Sequence, residues 1–550
     1  MRLLRLEIVG RYKGLKDQAF DFSGSSDTIL TFVGLNGSGK SQLLELIAEV
    51  FGYLERLRRP DFRVRKSLPF EIHLEYEIWP DNDSQERNIY RISTGKTGGV
   101  DCQYLSGVEW SYCQLYEIDL PQHIVGYASG LNENLQRSFL KNAVQYFDVM
   151  SVRAARRRRL SGELDEEGMD EVNQYYLKRY PGLFDLNISP EEDDSISVFL
   201  REKDTNIPSS IFLDYDCNAL LMASLAILPR DQLDDLFPEI DYRYPEHICI
   251  QYDLRQVPVE EDAIRDIQQL VRVVGVDAVE GISDKTSNEQ YDLYELDYLA
   301  GIIHIDLTRG GLREMLGEYY YGLPIRLFEK LYKLQLLGVS FWKGADKKNL
   351  RSDDFFETVK KPLKGKLPLA VTKLSLSNGI NTIDFDDLSD GEAQLVQVLS
   401  AAMIFGHDNT LFILDEPETH LNPQWRTQFH NNLIGALAAP GADERRTQVM
   451  LSTHSPFLIS SLKKENVYRF ERTDNVVAMW PVESETYGAS FDVLIKEYFG
   501  LKSLISQTAV DEILEKLNDN NLSKAERRDW IEENIGDSSE KAYLLRRLEE

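Results

Sequence analysis

The sequence is poor in cysteine, and the four it has, Cys102, Cys113, Cys217 and Cys249, include no Cys-x-x-Cys pair and no zinc-ligand spacing. They predict neither a disulfide framework nor a zinc site, and they fit a reducing cytoplasm. No apolar run approaches the roughly 20 residues needed to span a bilayer, so a soluble chain with no membrane partner is expected. Met1-Arg-Leu-Leu-Arg-Leu6 briefly imitates a signal peptide, but Glu7 and Arg11 end the apolar stretch early, which argues against export. From about 145 to 370, internal repeats and sustained heptads are both missing, which excludes a long coiled coil there. Positive charge is also short: 62 Lys and Arg stand against 91 Asp and Glu, a formal net charge of −29. Such a surface repels phosphates, so any contact with nucleic acid must be local or indirect. The densest basic run, Arg153-Ala-Ala-Arg156-Arg157-Arg158-Arg159, is followed at once by Glu163-Leu-Asp165-Glu166-Glu167. That pairing reads as a solvated helix of mixed charge.

What is present suits a large globular protein. The 550 residues, 42% apolar, are enough for several cores, with length alone suggesting about three to four domains. Residues 3 to 9 and Ile29-Leu-Thr-Phe-Val33 read as strands, and Gln42 to Leu54 as a helix. Phe70-Glu-Ile-His-Leu-Glu-Tyr-Glu-Ile78 and Asn88-Ile-Tyr-Arg-Ile92 alternate like antiparallel strands with one wet face, an accessory sheet. From about 145 to 370 the chain is mixed, acidic and punctuated by proline, as an insertion would be. Beyond it, a helix over Gly391 to Phe405, a buried strand over Leu411 to Leu414, a helix over Trp425 to Leu437 and a strand over Gln448 to Leu451 follow βαβ grammar. Parallel strands with crossover helices bring loops at their carboxyl ends to one crevice. The expected division is 1–145, an inserted 146–370, 371–500 and a charged helical tail, 501–550.

Between the second strand and its helix lies Gly34-Leu35-Asn36-Gly37-Ser38-Gly39-Lys40-Ser41, which matches G-x-x-x-x-G-K-[ST]. In such a P-loop the glycines let backbone N–H groups curl around phosphates, the lysine reaches the β and γ phosphates, and the serine hydroxyl ligates magnesium. A second motif, Leu411-Phe-Ile-Leu-Asp415-Glu416-Pro417-Glu418, delivers two adjacent carboxylates from a buried strand. Asp415 is placed to hold Mg2+ and Glu416 to act as general base on the attacking water of ATP hydrolysis.

A third motif, Leu388-Ser389-Asp390-Gly391-Glu392-Ala-Gln394, carries the Ser-x-x-Glu capping box of a helix start, and a capped helix start is also an anion site. The fourth, Leu451-Ser-Thr-His454-Ser-Pro456, ends an apolar strand on a histidine suited to contact a γ-phosphate or the attacking water. Two other clusters read as structure. Asp214-Tyr-Asp216-Cys217-Asn218 is the best isolated metal candidate but fits a loop entering the apolar helix Ala219 to Leu228. His430-Asn431-Asn432 sits within a helix.

These four motifs, in this order, resemble the ABC-type ATPase heads shared by chromosome-maintenance, break-repair, gap-repair and overcoming-lysogenization proteins. The resemblance covers roughly residues 1 to 145 and 370 to 500. It implies an α/β fold: a mixed sheet with helices, an antiparallel accessory sheet, and a mixed α+β or helical insertion. It also implies a dimer or higher oligomer in which ATP lies between one subunit's P-loop and the Ser389, Asp390, Gly391 and Glu392 segment of another. The family's glutamine loop has three candidates here, Gln114, Gln122 and Gln136.

The chain lacks the coiled coil of chromosome-maintenance proteins. It also lacks a convincing acidic metal cluster after His454, so no intrinsic nuclease is expected. Length, compact insertion and Val125-Gly-Tyr-Ala-Ser-Gly-Leu-Asn-Glu resemble the PtuA family, the ATPase subunits of Septu-type antiphage systems, especially the retron-attached form. That resemblance implies a partner HNH nuclease, PtuB, and in the retron setting a reverse transcriptase with its RNA-linked DNA. The alternative is a DNA-repair ATPase of the gap-repair kind that acts directly on DNA.

Overall fold

The computed structural model describes residues 1–25, 27–58, 68–80, 87–95, 99–130, 133–160, 168, 172, 174–176, 207–257, 261–281, 298–352, 354–357, 359, 367–406, 409–438, 446–474, 476–501, 505–519 and 521–549. The chain opens with β1 (Arg2–Tyr12), β2 (Leu15–Asp21), β3 (Ile29–Val33) and helix α1 (Lys40–Leu57). Strands β4 (Phe70–Ile78), β5 (Asn88–Thr94), β6 (Val100–Ser106) and β7 (Glu109–Cys113) follow. Next come β8 (His123–Ala128), α2 (Glu133–Leu160), β9 (Ser210–Leu213) and α3 (Tyr215–Ser224). They lead to β10 (Tyr244–Asp253), β11 (Val279–Gly281), β12 (Ala300–Asp306), β13 (Leu369–Ser377) and β14 (Thr382–Asp384). The last third holds α4 (Asp390–Phe405), β15 (Thr410–Asp415), α5 (Pro423–Leu437), β16 (Gln448–Ser452), β17 (Val467–Thr473), β18 (Val476–Pro481) and α6 (Phe491–Phe499). Helices over Gln507–Asn518, Lys524–Asn534 and Ser539–Glu549 make up the tail.

Among the described residues the strands form three sheets. A seven-stranded sheet, ordered β18-β17-β3-β16-β15-β8-β9, is parallel except for its edge strand β18. An antiparallel sheet of order β2-β1-β4-β5-β6-β7 is the expected accessory sheet, and β11-β12-β10-β13-β14 form the third. The fold is thus mixed α/β, built on a central sheet of P-loop type with antiparallel sheets around it.

The central strands are apolar on both faces because each face has its own core. In β3, Leu30 and Phe32 pack with Leu43, Leu44 and Ile47 of α1, while Ile29 and Val33 face the second core. The same alternation runs through β15, where Leu411 and Ile413 turn to the first core and Phe412 and Leu414 to the second. Register then brings the strand ends level: Asp415 pairs with Ser452, and Ser452 with Phe32. Loops leaving β3, β15 and β16 therefore meet at one edge of the sheet.

The expected boundary at 145 falls inside α2, and 370 falls inside β13. Residues of 146–370 also enter the central sheet, because β9 pairs in parallel with β8. In the basic run, Arg153 is buried and the Arg156 guanidinium lies 4.7 Å over the Tyr175 ring, so part of that run packs rather than waves in solvent. The acidic stretch from Glu163 to Glu167 lies outside the described residues. Among the described residues no helix is long and apolar enough to cross a membrane.

Candidate nucleotide site

The P-loop links β3 to α1 as the sequence predicts. Gly34 has φ +146°, and a Cβ there would come within 2.4 Å of the Phe470 carbonyl oxygen on β17, so no other residue fits. Gly39, at φ +113° and ψ 2°, caps α1 without any side-chain hydrogen bond. The first-turn N–H groups of α1 are thus left for another acceptor, at the positive end of the helix dipole and with no acidic side chain in that turn. Ser38 Oγ is buried with no hydrogen-bond partner among the described atoms. Leu35, Asn36 and Gly37 are exposed. Open donors and a small-residue cradle fit an anionic phosphate chain.

Lys40 is buried, and its ammonium donates to the carbonyl oxygens of Gly34 at 2.9 Å and Leu35 at 3.3 Å. Burial pulls its pKa down to about 8, while the carboxylates of Glu416 and Asp415 act the other way. The Ser41 hydroxyl donates to Asp415 Oδ1 at 3.0 Å, and Ser452 Oγ donates to the same oxygen. Ser41 and Asp415 thus set two hard oxygens side by side. This suits Mg2+, which takes one or two protein oxygens and completes its octahedron with water and phosphate. When bound, the metal supplies positive charge that neutralises the phosphate oxygens as they react.

Glu416 leaves β15 with φ +53°, unusual for a residue with a side chain. Its N–H holds that conformation by donating to Ser452 O at 3.1 Å and Ser452 Oγ at 3.2 Å, and the turn swings its carboxylate toward the end of β16. There His454 Nε2 stands 3.3 Å from Glu416 Oε1 and 2.9 Å from Lys40 Nζ. The hydrogen bond with His454 holds the Glu416 carboxyl below its usual range, with burial opposing it. Glu416 is therefore an ionised carboxylate at neutral pH, as a base on water must be.

Lys40, Ser41, Asp415, Glu416 and His454 come together in this way. Ser389, Asp390, Gly391 and Glu392 start α4, and the predicted capping box is there: Glu392 N–H donates to Ser389 Oγ at 3.3 Å, and Ser389 N–H donates to Glu392 Oε2 at 2.9 Å. Ser389 and Asp390 are exposed, and Gly391 sits so close to the His420 carbonyl that a Cβ would approach its oxygen to 2.9 Å. Gln394 in the same helix donates to the Tyr127 hydroxyl at 2.8 Å and accepts from His420 N–H at 2.9 Å. Among the glutamine candidates, Gln122 precedes β8, Gln114 follows β7, and Gln136 lies on α2 past the carboxyl end of β8, donating to Asp214 at 3.3 Å. Asp214 is the N-cap of α3 and accepts from Cys217 N–H at 3.2 Å, and Asn432 on α5 donates to Glu239 at 2.8 Å. Both clusters thus serve as structure, and among the described residues no group of three or more His, Cys, Asp or Glu is arranged to hold a metal ion.

Two features were not foreseen. The β17–β18 hairpin packs Phe470 and Val477 against Gly34 and Gly39; the apolar runs Val467 to Phe470 and Val476 to Trp480, separated by Thr473-Asp474-Asn475, were its signal. Glu418 is 3% exposed and accepts from the Thr453 hydroxyl. Burial pushes its carboxyl up to about 7, against that hydrogen bond. Nothing in a strand-end Pro-Glu announces this.

Residues 287–460 match a family model described as "AAA domain, putative AbiEii toxin, Type IV TA system". That span, about a third of the chain, includes the Ser389, Asp415 and His454 motifs and lies outside the P-loop segment; over it the chain is similar to an AAA-type ATPase domain. A stretch of 133 residues is 26% identical to Protein ea59 of Escherichia phage lambda, covering 23% of this chain and 24% of that protein. The chain therefore spans about a quarter of that relative's length. Among solved structures, an SmcHead bound to the C-winged helix domain of ScpA is similar with a TM-score of 0.31 and 11% identity, over 88% of this chain and 98% of that one. An Smc head domain with an extended coiled coil, bound to the C-terminal domain of ScpA and derived from Pyrococcus furiosus, gives 0.28 and 12%, over 94% and 99%. Likenesses at this level carry no argument about function.

Proposed function

We propose that this chain is the ATP-binding and hydrolysing subunit of a bacterial antiphage defence complex of the Septu or retron type. In it, ATP-sandwich dimers control a partner HNH nuclease, as the resemblance to PtuA and PtuB implies. The observation that carries the ATPase half is the meeting of Lys40, Ser41, Asp415, Glu416 and His454 at one edge of the central sheet. Lys40 and the first turn of α1 bind and orient the phosphates. Ser41 and Asp415 would hold magnesium. Glu416 takes a proton from the attacking water, and His454 contacts the γ-phosphate or that water. The exposed start of α4 presents donors to a nucleotide held by another copy. The AbiEii description of the matching family model supports a defence setting.

Affinity purification of the chain expressed from its own operon, with identification of bound protein and nucleic acid, tests the defence half. Recovery of an HNH protein, with a reverse transcriptase and a short RNA-linked DNA in the retron setting, is the expected result. Recovery of repair proteins alone, with ATP turnover by the isolated chain accelerated by DNA, would replace it with the DNA-repair reading.

A further inference from the structure

The loop that carries His454 is anchored on both sides of the histidine. Ahead of it, Thr453 N–H donates to Phe32 O at 3.1 Å, tying the loop to the strand that enters the P-loop. Behind it, Ser455 N–H donates to Thr453 Oγ1 at 2.9 Å. A threonine hydroxyl that accepts from this amide still has its own proton to place. That proton goes to Oε1 of Glu418, two residues past Glu416. Glu418 belongs to the turn that bears the base, since Thr419 N–H donates to Glu416 O at 3.3 Å and Leu421 N–H to Glu418 O at 3.2 Å.

We propose that Glu418 is a positioning residue for His454: its buried carboxyl orients the Thr453 hydroxyl, and that hydroxyl fixes the amide on the far side of the histidine. This deepens the ATPase reading and rests on it. Packing alone does not account for a carboxyl here. The residue is 3% exposed, and its Oε2 is buried with no hydrogen-bond partner among the described atoms. Removing a carboxyl from water is costly, and a methionine would fill similar space without that cost. What a carboxyl or carboxamide oxygen adds is an acceptor with a fixed direction, aimed from the turn of Glu416 to the loop of His454. The two groups flanking the reacting atoms are thereby locked to one another.

The test uses the full chain with Glu418→Ala, Glu418→Gln, His454→Ala and the double variant Glu418→Ala/His454→Ala. Hydrogen exchange measured by mass spectrometry over residues 450–457 should quicken in Glu418→Ala and stay parental in Glu418→Gln, whose amide oxygen still accepts from Thr453. In ATP turnover, Glu418→Ala should lose roughly 10- to 100-fold in kcat with KM changed by no more than about threefold, as expected for a misplaced contact group. Glu418→Gln should stay within about threefold of the parent, and the double variant should be no slower than His454→Ala alone. An equal further loss in the His454→Ala background, unchanged exchange over 450–457 in Glu418→Ala, or a Gln variant as slow as the Ala one would overturn the proposal. If Glu418→Ala does not fold, Thr453→Val breaks the same link and must show the same pattern. A parent that does not turn over ATP would sink the ATPase reading, while exchange over 450–457 would still decide the link.

Discussion

The Lys40 ammonium and the His454 imidazole meet at 2.9 Å, Nζ to Nε2, and the same imidazole nitrogen lies 3.3 Å from Glu416 Oε1. With its proton on Nδ1, His454 accepts from the lysine; with a proton on Nε2, it donates to the glutamate. The proposed phosphate-binding cation and the proposed base thus share one neighbour.

A pH dependence follows from Lys40. Its ammonium is the form that attracts phosphate, and burial brings its pKa down to about 8. Bound phosphates favour the charged form, so nucleotide binding takes up a proton wherever free Lys40 is neutral. Affinity for a non-hydrolysable ATP analogue should be flat below about pH 7 and weaken above about pH 8, by at most about tenfold per pH unit. Lys40→Arg, which stays charged, should flatten the profile even though it fits the loop less well. Calorimetric titrations from pH 6.5 to about 9.5 measure it, and a parent profile as flat as that of Lys40→Arg would contradict it.

Glu416→Gln keeps the shape of the side chain and removes its basicity. Because the Glu416 backbone is pinned to Ser452, the glutamine should stand where the carboxylate stood. Single-turnover hydrolysis should slow by about 10²- to 10⁴-fold while ATP binding stays close to parental, trapping an ATP-loaded form. Hydrolysis at the parental rate would remove Glu416 from the role of general base.

The parts of this site that were legible in the sequence are those with special backbone or charge demands. Gly34 to Ser41 announces itself because a left-handed Gly34 cradle with a lysine has few other uses, and Asp415-Glu416 because two carboxylates end an apolar strand. The capping box at Ser389 and Glu392 is read from two residues because its hydrogen bonds span only one helical turn. Illegible parts depend on distant pairings. The joining of β9 to β8 rests on a parallel register between residues 123–128 and 210–213, which no local pattern encodes. The positive φ of Glu416 and the burial of Glu418 are set by Ser452 and Thr453, more than 30 residues later. Sequence spacing is blind to both.

The proposed sandwich arrangement makes a mixing prediction. Ser389 and Asp390 are exposed at the start of α4, and a two-fold dimer would set that start against the partner's P-loop. Lys40→Ala and Ser389→Arg should each abolish turnover alone. Mixed in equal amounts and allowed to exchange subunits, they should leave roughly a quarter of the sites with an intact P-loop facing an intact Ser389. Recovered ATPase activity is the readout, and a mixture as inactive as its components would argue against shared sites.

His123, at the start of β8, predicts an acid sensitivity unrelated to catalysis. Both ring nitrogens are buried without hydrogen-bond partners among the described atoms, and the ring packs on Phe405 of α4 with centroids 5.2 Å apart. Burial lowers its pKa to about 4, against about 6.5 in an unfolded chain. Its neutral form is the one that fits, so the unfolded chain binds the extra proton as pH falls. The destabilisation is absent above about pH 6.5 and grows as pH drops toward about 4, reaching on the order of 3 kcal/mol. Between about pH 8 and about pH 5 the parent should lose about 2 kcal/mol more than His123→Leu, which has no proton to bind. Urea unfolding of both proteins at the two pH values measures the difference, and equal losses would show that the His123 ring does not stay neutral in the fold.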